Sequence, residues 1–281
     1  MKIAVLGSIN LDIVASGAPL PRAGETVSGA RLDQHPGGKG ANQAYAARRL
    51  GADTEMYGRV GRDPFAEPAL DLLKRGGTNL AHVLIDDEHP TGVALIAVSP
   101  EGENQITVCS GANAAVAAPQ RIEAGALICQ LEVPIETVAD AFDAFDGFAV
   151  ANLAPAAAVP DRLMARADLL VVNETEMEFY GESLFWSPAL IAVTLGARGA
   201  ELWRQGERIA AATPPQVEVV DTTGAGDVFV AALTVALMEQ QSPQDALRFA
   251  CAAGALATTR PGAQPAAPTR AEVEAMLGGH S

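Results

Sequence analysis

The sequence contains few of the residues that build disulfides and metal centres. Its three cysteines lie far apart in the chain: Cys109, Cys129 and Cys251. An odd and sparse set predicts reduced, buried thiols and excludes a disulfide framework or a zinc site. The four histidines show no spacing typical of metal ligands: His35, His82, His89 and His280. We therefore expect these seven side chains to serve the fold.

Basic residues are also scarce. Lys and Arg together number 19 against 34 Asp and Glu, which gives a net charge of −15. Such an acidic chain binds DNA, RNA and anionic membranes poorly, so we expect no nucleic acid and no membrane among its partners. An anionic ligand would have to be held by local backbone dipoles and a few well-placed cations.

Long apolar runs are missing as well. No stretch of 18 apolar residues occurs, and the chain enters the strand-like segment 2–6 without the basic start of a signal peptide. We therefore expect a cytoplasmic protein. Hydrophobic residues still make up 49% of the sequence, which is enough for a sizeable core.

The remaining pattern alternates short apolar runs with helical stretches. The predicted strands are 2–6, 54–60, 126–131, 147–152, 169–172 and 190–195. The predicted helices are 40–50, 64–74, 135–145, 225–238, 243–259 and 269–277. This alternation predicts an α/β fold with a mainly parallel central sheet that is covered on both faces. Ligands of such folds bind at the ends of strands.

Two regions interrupt this alternation. Residues 11–35 and 91–110 carry strand-like segments with no helix between them. They predict a small extra sheet that projects from the main body as a lid. Because a four-stranded lid with one exposed apolar face needs a partner, we expect a homodimer that forms through it.

The segment 221–227 carries the strongest chemical signal. Its glycine-rich turn, Gly224-Ala225-Gly226, opens an apolar helix, so backbone N–H groups gather at the positive end of the helix dipole. Asp227 lies inside this anion site, which makes sense if it takes a proton from a second substrate while the backbone holds a phosphoryl group. We therefore predict phosphoryl transfer to an alcohol.

Two better-known phosphate motifs are absent. The dinucleotide pattern G-x-G-x-x-G would need glycine where Phe229 stands. The P-loop needs Ser or Thr after Gly-Lys, but the chain's only such pair, Gly38-Lys39, is followed by Gly40.

Further polar residues follow predicted strands. Asn10 and Asp12 would share one face of a continuing strand and suit the hydroxyls of a polyol, although a turn explains them equally well. Lys39 and Asn42 lie three apart at a helix start that is rich in glycine, which favours a binding loop over an ordinary turn. Glu132 closes an apolar strand, where it could simply mark the exit from the core.

Two segments after later strands are also candidates. Asn173 and Glu176 have the spacing of a helix capping box, which does not exclude a hydrated Mg²⁺ at this acidic segment. The glycine-containing turn 194–199 predicts a loop that contacts a nucleotide.

Together these motifs resemble the PfkB carbohydrate-kinase family over essentially the whole chain. The two signatures are 37–42 and 221–227, and further motifs stand in the family's order at 10–12, 24–26, 92–96, 102–104, 111–114, 130–132, 173–176, 194–196 and 262–265. The resemblance implies a single kinase domain over 1–281, folded as a three-layer αβα sandwich with a small β-sheet lid. It implies that ATP phosphorylates D-ribose at the 5-hydroxyl.

The resemblance also implies a role for each matching residue. Asp227 would be the catalytic base, beside an anion hole formed by Gly224, Ala225 and Gly226. The sugar would be held by Asn10, Asp12, Gly38, Lys39, Asn42, Glu132 and Asp227. ATP would lie near Asn173, Thr194, Gly196, Gly199, Gly226 and Cys251. K⁺ would be surrounded by Asp221, Thr223, Ala257, Arg260, Gly262 and Ala266. Mg²⁺ would bridge the phosphates, with Glu176 bound to it through water.

Two features depart from the family pattern. Ala266 has no hydroxyl where some relatives have serine. Segment 181–189 is too short for the usual helix with its two loops, so part of the sheet face would be uncovered or covered by Phe185 and Trp186. The alternatives are a kinase of another sugar (deoxyribose, a ketose) or of a nucleoside, and a non-catalytic sugar-binding protein.

Overall fold

The computed structural model describes residues 1–279, so His280 lies outside the described part of the chain. Strands β1 to β13 span Lys2–Leu6, Asn10–Ser16, Arg31–Gly37, Asp53–Gly61, Asn79–Asp86, Gly92–Val98, Asn104–Cys109, Ala126–Gln130, Phe148–Asn152, Leu169–Asn173, Leu190–Thr194, Ala200–Arg204 and Glu207–Ala212. Helices α1 to α9 span Lys39–Arg49, Ala66–Arg75, Ile135–Asp143, Asp161–Arg166, Glu174–Tyr180, Ala225–Met238, Pro243–Ala257, Ala263–Ala266 and Arg270–Gly278. Short 3₁₀ helices lie at Gly111–Ala115, Glu182–Trp186 and Gly196–Arg198.

A nine-stranded sheet forms the centre of the molecule. Its strand order is β13-β12-β11-β10-β9-β8-β1-β4-β5. The strands from β11 to β5 pair in parallel, and β12 and β13 add an antiparallel edge. The carboxyl ends of the parallel strands therefore meet along one edge, where the segments that follow β1, β8, β9, β10 and β11 come together.

Helices cover both faces of this sheet. Ile3 and Val5 of β1 belong to one core cluster, which includes buried residues of α1, α2, α6, α7 and α9. Ala4 and Leu6 point the other way, into a second cluster with α3 and α4. Because neighbouring strand residues point to opposite faces, a strand buried on both sides must be apolar at every position. The arrangement confirms the predicted three-layer α/β fold, and each predicted strand and helix is present within two residues at either end.

A separate four-stranded sheet forms from the two regions that lack helices. Its order is β3-β2-β6-β7, in which β2 and β6 are parallel and the outer pairs are antiparallel. All six residues of β7, an edge strand, are exposed, so neither of its faces is covered within the chain. Cys109, the last of them, is therefore exposed, and the prediction of three buried thiols is wrong for this residue. Cys129 and Cys251 are buried, as predicted.

The short segment 181–189 contains a single-turn 3₁₀ helix in place of a longer helix. Phe185 packs against the second core cluster, with its ring centroid 4.5 Å from that of Trp203. Trp186 stays 73% exposed. The sheet face is thus covered by Phe185 and not by Trp186. Within residues 1–279, the helices are all too short or too polar to span a lipid bilayer.

Candidate active site

The carboxylate of Asp227 lies at the centre of the candidate site. Gly224 caps α6 in the left-handed conformation, with φ of 75°, so that Asp227 becomes the third residue of the helix. A side chain at Gly224 would collide with Ala263, since its Cβ would lie 2.6 Å from the Ala263 Cβ. Asp227 is only 6% exposed. In the first turn of α6, Ala225 N donates to Thr222 O at 3.3 Å, so the N–H groups of Gly226 and Asp227 are the ones presented to the same space as this carboxylate.

Two amide side chains of α1 hold both oxygens of this carboxylate. Asn42 Nδ2 donates to Asp227 Oδ2 at 2.9 Å, and Gln43 Nε2 donates to Oδ1 at 2.9 Å. Burial raises the pKa of Asp227, while the charge of Lys39 and these two hydrogen bonds oppose the rise. The result is a desolvated carboxylate with a raised proton affinity, which is the property of a general base.

The glycines around Lys39 bring α1 against the start of the central sheet. Gly38 has φ of 87°, and a Cβ there would lie 2.8 Å from Asn10 N. A Cβ on Gly40 would lie 2.6 Å from the backbone of Gly7 and Ser8. The charge of Asp227 is the main cause that raises the pKa of Lys39, so this lysine stays protonated. The close packing that these glycines allow therefore brings Lys39 near the carboxylates of Asp227 and Glu132.

Four predicted sugar-binding residues surround one side of Asp227. Glu132 Oε2 accepts hydrogen bonds from Ser8 Oγ at 2.6 Å and from Lys39 N at 3.1 Å. Asn10 Oδ1 accepts one from Asn113 Nδ2 at 2.7 Å, which directs the Asn10 amino group away from Asn113. Asp12 follows on the same face of β2. A carboxylate acceptor and an amide donor side by side suit a hydroxyl group, which both donates and accepts.

A cavity of about 120 Å³ opens on the other side of Asp227. It is lined by the carboxyl ends of β9, β10 and β11 and by the start of α6, through Asn152, Val171, Asn173, Thr194 and Gly226 among others. Lys39, Glu176 and Asp227 also line it. A Cβ on Gly226 would meet nothing within 4 Å, so this backbone is open to a ligand. Asp227 and Lys39 thus stand between a group of hydroxyl-binding side chains and a separate cavity.

The predicted capping box is present at the wall of this cavity. Asn173 Oδ1 accepts from Glu176 N at 2.9 Å, and Glu176 Oε2 accepts from Asn173 N at 2.8 Å. Burial raises the pKa of Glu176, whereas the Asn173 hydrogen bond and the charge of Lys39 oppose the rise. Among residues 1–279, no three acidic, His or Cys side chains cluster as a ready metal site.

Three residues predicted to contact the nucleotide lie apart from the cavity lining. Gly196 and Gly199 flank the 3₁₀ turn after β11, and Gly199 packs so closely on Ala212 that a Cβ would lie 1.9 Å from its carbonyl oxygen. Cys251 is buried in α7 with Sγ 3.7 Å from the same oxygen, and burial raises its pKa to about 12. Gly199 and Cys251 therefore converge on Ala212 at the end of β13.

The residues predicted to surround K⁺ come from three segments that hydrogen bonds hold together. Asp221 Oδ1 accepts from Thr223 N and Oγ1, and Asp221 Oδ2 accepts from Gly262 N at 2.8 Å. Asp221 N donates to Thr258 O at 3.1 Å. Burial opposes ionisation of Asp221, but these hydrogen bonds outweigh it and lower its pKa.

The remaining members of this group contribute no side-chain oxygen. Ala257 ends α7, where helix carbonyls are unpaired and carry the negative end of the dipole. The Arg260 side chain pairs with Glu272, so only its backbone carbonyl can face a cation. Ala266 is fully buried.

No role was predicted from the sequence for two important side chains, although Asn113 lies in the family-like motif 111–114 and Gln43 directly follows the motif 37–42. Gln43 is fully buried in α1 and donates a hydrogen bond to Asp227, whereas the sequence predicted a binding role only for Lys39 and Asn42 of this helix. Asn113 lies in the 3₁₀ helix before β8 and orients Asn10. A polar amide within an alanine-rich stretch was the available signal in both cases.

Asp12 provides a prediction about pH and stability. Burial, followed by the charges of Glu132 and Asp227, raises the pKa of Asp12 to about 7. In the unfolded chain Asp12 ionises near its ordinary pKa of 3.8, whereas in the folded protein it stays protonated up to about pH 7. The contribution of Asp12 to the free energy of unfolding therefore falls as pH rises from about 4 to 7. Asp12→Asn removes this penalty, so its stability advantage over wild type should widen by roughly 2–3 kcal/mol between pH 5 and pH 8 in urea denaturation.

The exposed Asp146 provides the matched control, and Asp146→Asn should show no such widening. An advantage for Asp12→Asn that stays constant over this pH range would contradict the raised pKa.

Known proteins resemble the chain over almost its whole length. Ribokinase of Bacillus subtilis is 38% identical over 292 residues, which cover 98% of this chain and 99% of the relative. Deoxyribokinase of Salmonella typhi is 32% identical and covers 96% of each chain. The structure of Arabidopsis thaliana ribokinase complexed with ribose and ATP superimposes with a TM-score of 0.88 at 31% identity, covering 98% of each chain.

The family assignment follows from a second comparison. Residues 1–270 match the model of the pfkB family carbohydrate kinases. A match over this length, together with full-length relatives above 30% identity, leaves the family in no doubt. The chain belongs to the pfkB family of carbohydrate kinases and is a phosphotransferase that acts on a sugar.

Proposed function

We propose that the chain transfers the γ-phosphoryl group of ATP to the 5-hydroxyl of D-ribose. The observation that carries this proposal is the position of Asp227, which lies between the hydroxyl-binding side chains and the cavity at the strand ends. A ribose on one side and a triphosphate on the other would place the two reacting groups at the same carboxylate. Relatives that are ribokinases and the solved ribose and ATP complex support the choice of substrates.

The proposed reaction needs one proton acceptor and several charge-stabilising groups. A bond forms between the 5-oxygen of ribose and the γ-phosphorus, the bond from that phosphorus to the bridging oxygen breaks, and ADP leaves. Asp227 takes the hydroxyl proton as the new bond forms. The N–H groups of the first turn of α6 and the protonated Lys39 meet the negative charge on the transferring group.

The cavity offers Mg²⁺ a carboxylate, that of Glu176, and leaves its other ligands to be supplied by substrate phosphates and water. The ion binds few protein carboxylates and relies on substrate phosphates and water, where it would neutralise phosphate charge. Glu176 supplies a buried carboxylate at the cavity wall, one oxygen of which is already used by Asn173 N. We therefore propose that Glu176 binds Mg²⁺ through water.

The side chains near Asp227 also support a preference for ribose over 2-deoxyribose. Asn113 fixes the Asn10 amide, so the Asn10 amino group is oriented before any sugar arrives, and Asp12 lies two residues further on the same face of β2. A sugar that lacks the hydroxyl they bind would leave both groups unpaired, which sites of this kind penalise strongly.

We expect a coupled ADP-release assay to show the highest kcat/KM with D-ribose, at least about 100-fold above 2-deoxyribose. The panel would include ketoses, adenosine and inosine. A preference for a nucleoside over free ribose would overturn the substrate assignment, and equal rates with deoxyribose would remove the role of Asn10 and Asp12.

The same assay tests the base. Asp227→Asn should lower kcat by at least about 100-fold with a modest change in the KM for ribose. Asp245 holds the same third position in α7 but is exposed, so Asp245→Asn is the control and should keep near-normal turnover. Near-normal turnover of Asp227→Asn would remove Asp227 from the mechanism.

A monovalent cation fits beside the anion hole. Asp221, Thr223 and the helix-terminal carbonyl of Ala257 are hard oxygen donors in adjacent segments, and a cation there would add positive charge next to the first turn of α6. We propose that K⁺ binds in this position even though Ala266 contributes no hydroxyl. Activity in K⁺ should exceed activity in Na⁺ at equal ionic strength, and identical rates would contradict the site.

The small sheet supports the predicted homodimer. Four of its apolar side chains are exposed: Leu32, Leu95, Ile106 and Val108. The strand register places Leu32 and Leu95 on one face of this sheet and Ile106 and Val108 on the other. We propose that the face with Leu32 and Leu95 packs against a second copy of the chain, because a monomer leaves these side chains in water. The need for ATP also supports the predicted cytoplasmic location.

Sedimentation velocity tests the dimer. Wild type should sediment as a dimer and Leu95→Asp as a monomer, whereas the control Leu84→Asp, on the exposed side of β5, should leave the dimer intact. A wild-type protein that is monomeric at micromolar concentration would contradict the proposal.

A further inference from the structure

A network of three buried amide side chains lies behind Asp227. Gln43 Nε2 donates to Asp227 Oδ1 at 2.9 Å and to Asn152 Oδ1 at 3.0 Å, and Gln43 Oε1 accepts from Gln130 Nε2 at 2.6 Å. Gln43 and Gln130 are fully buried. The network joins α1, β8 and β9 to the first turn of α6, and neither glutamine lines the cavity.

The direction of every bond in this network follows from one backbone carbonyl. Val171 O can only accept, so Asn152 must present Nδ2 to it, at 3.3 Å. Asn152 Oδ1 then faces Gln43, which must present its Nε2 group. Gln43 Oε1 consequently faces Gln130, which must donate. The carboxylate of Asp227, an acceptor when ionised, requires the same orientation of Gln43 independently.

The network also fixes the carboxylate of Asp227. Gln43 holds one oxygen and Asn42 holds the other, so the carboxylate plane cannot rotate without losing a hydrogen bond. Gln130 reaches Gln43 only because position 7 is glycine, since a Cβ there would lie 2.0 Å from Gln130 Oε1.

We propose that Gln43 is a positioning residue for the reaction, which orients the Asp227 carboxylate toward the sugar hydroxyl and keeps it ionised in a buried site. Gln130 and Asn152 hold the Gln43 amide in the donating orientation. The inference rests on the proposed role of Asp227 as the base. It assigns to Gln43 no contact with sugar or nucleotide.

Other charged groups also face Asp227 and must be kept constant. They are Lys39 from α1, Asp12 from β2, Glu132 after β8 and Glu176 from α5. Hydrogen bonds from Gln43 and Asn42 favour the ionised form of Asp227, and removal of the Gln43 donor raises its pKa. The ionised base would then become scarce at low pH and recover at high pH.

Gln43→Met is the test, because methionine keeps the length of the side chain and removes both of its donors. We expect kcat with ribose and ATP to fall at least about tenfold at pH 6, to approach wild type as pH rises, and the KM for ribose to change less than about threefold. Gln130→Met keeps the donor to Asp227 but frees Gln43 to turn, so it should show the same pH trend with a smaller loss.

Two controls separate this role from a general loss of packing. Thr234→Val, two turns along α6, removes a buried hydroxyl that bonds only to its own helix, and its pH profile should match wild type. Thermal unfolding checks that each variant is folded, and Gln130→Met carries the test if Gln43→Met does not fold. A loss of kcat that is equal at all pH values would overturn the inference.

A double-mutant cycle distinguishes failure of this inference from failure of the base. In the Asp227→Asn background, Gln43→Met should cause no further loss, since a positioning residue acts only through the group it positions. An additive loss would overturn the inference while leaving Asp227 as the base. Full turnover by Asp227→Asn would overturn both.

Discussion

The structure depends on a carboxylate that is buried at the start of a helix. A charge with 6% exposure would be neutralised by protonation if nothing compensated for it. Three features compensate for the charge of Asp227: the dipole of α6, the protonated Lys39, and the amides of Asn42 and Gln43. Burial gives the carboxylate its proton affinity, and compensation keeps it ionised. The site needs both properties at once.

This balance explains the close contact between α1 and the central sheet. Lys39, Asn42 and Gln43 all belong to the first two turns of α1, so the helix must begin very near β1 and β2. Glycines at positions 38 and 40 permit that approach, because a Cβ at either would lie within 3 Å of the neighbouring backbone. Gly38 and Gly40 therefore allow α1 to pack close to the central sheet, and the charge of Lys39 stabilises the ionised form of Asp227.

The sequence predicted the positions of the strongly apolar strands and helices correctly, but it did not predict the more polar strands. Strands such as β1 and β8 are buried on both faces, so every residue carries the signal and the predicted ends are accurate. Strands β5, β12 and β13 of the central sheet were not predicted; in β5 and β13 most residues are exposed and alternate irregularly. The capping box at Asn173 was predictable since its two partners are three residues apart. Gln43, Gln130 and Asn152 were not, because each bonds to partners about 20 to 190 positions away.

The sequence by itself determined the fold class, the family resemblance and the glycine turn with its aspartate, because these depend on local order and on the spacing of apolar residues. The tertiary structure decided which side chains surround Asp227 and which do not. It brought Gln43 and Asn113 into the site, placed Gly199 and Cys251 together at Ala212, and left Cys109 in water. The physical reason is that burial and hydrogen-bond partners are set by the packing of distant segments, which no local pattern records.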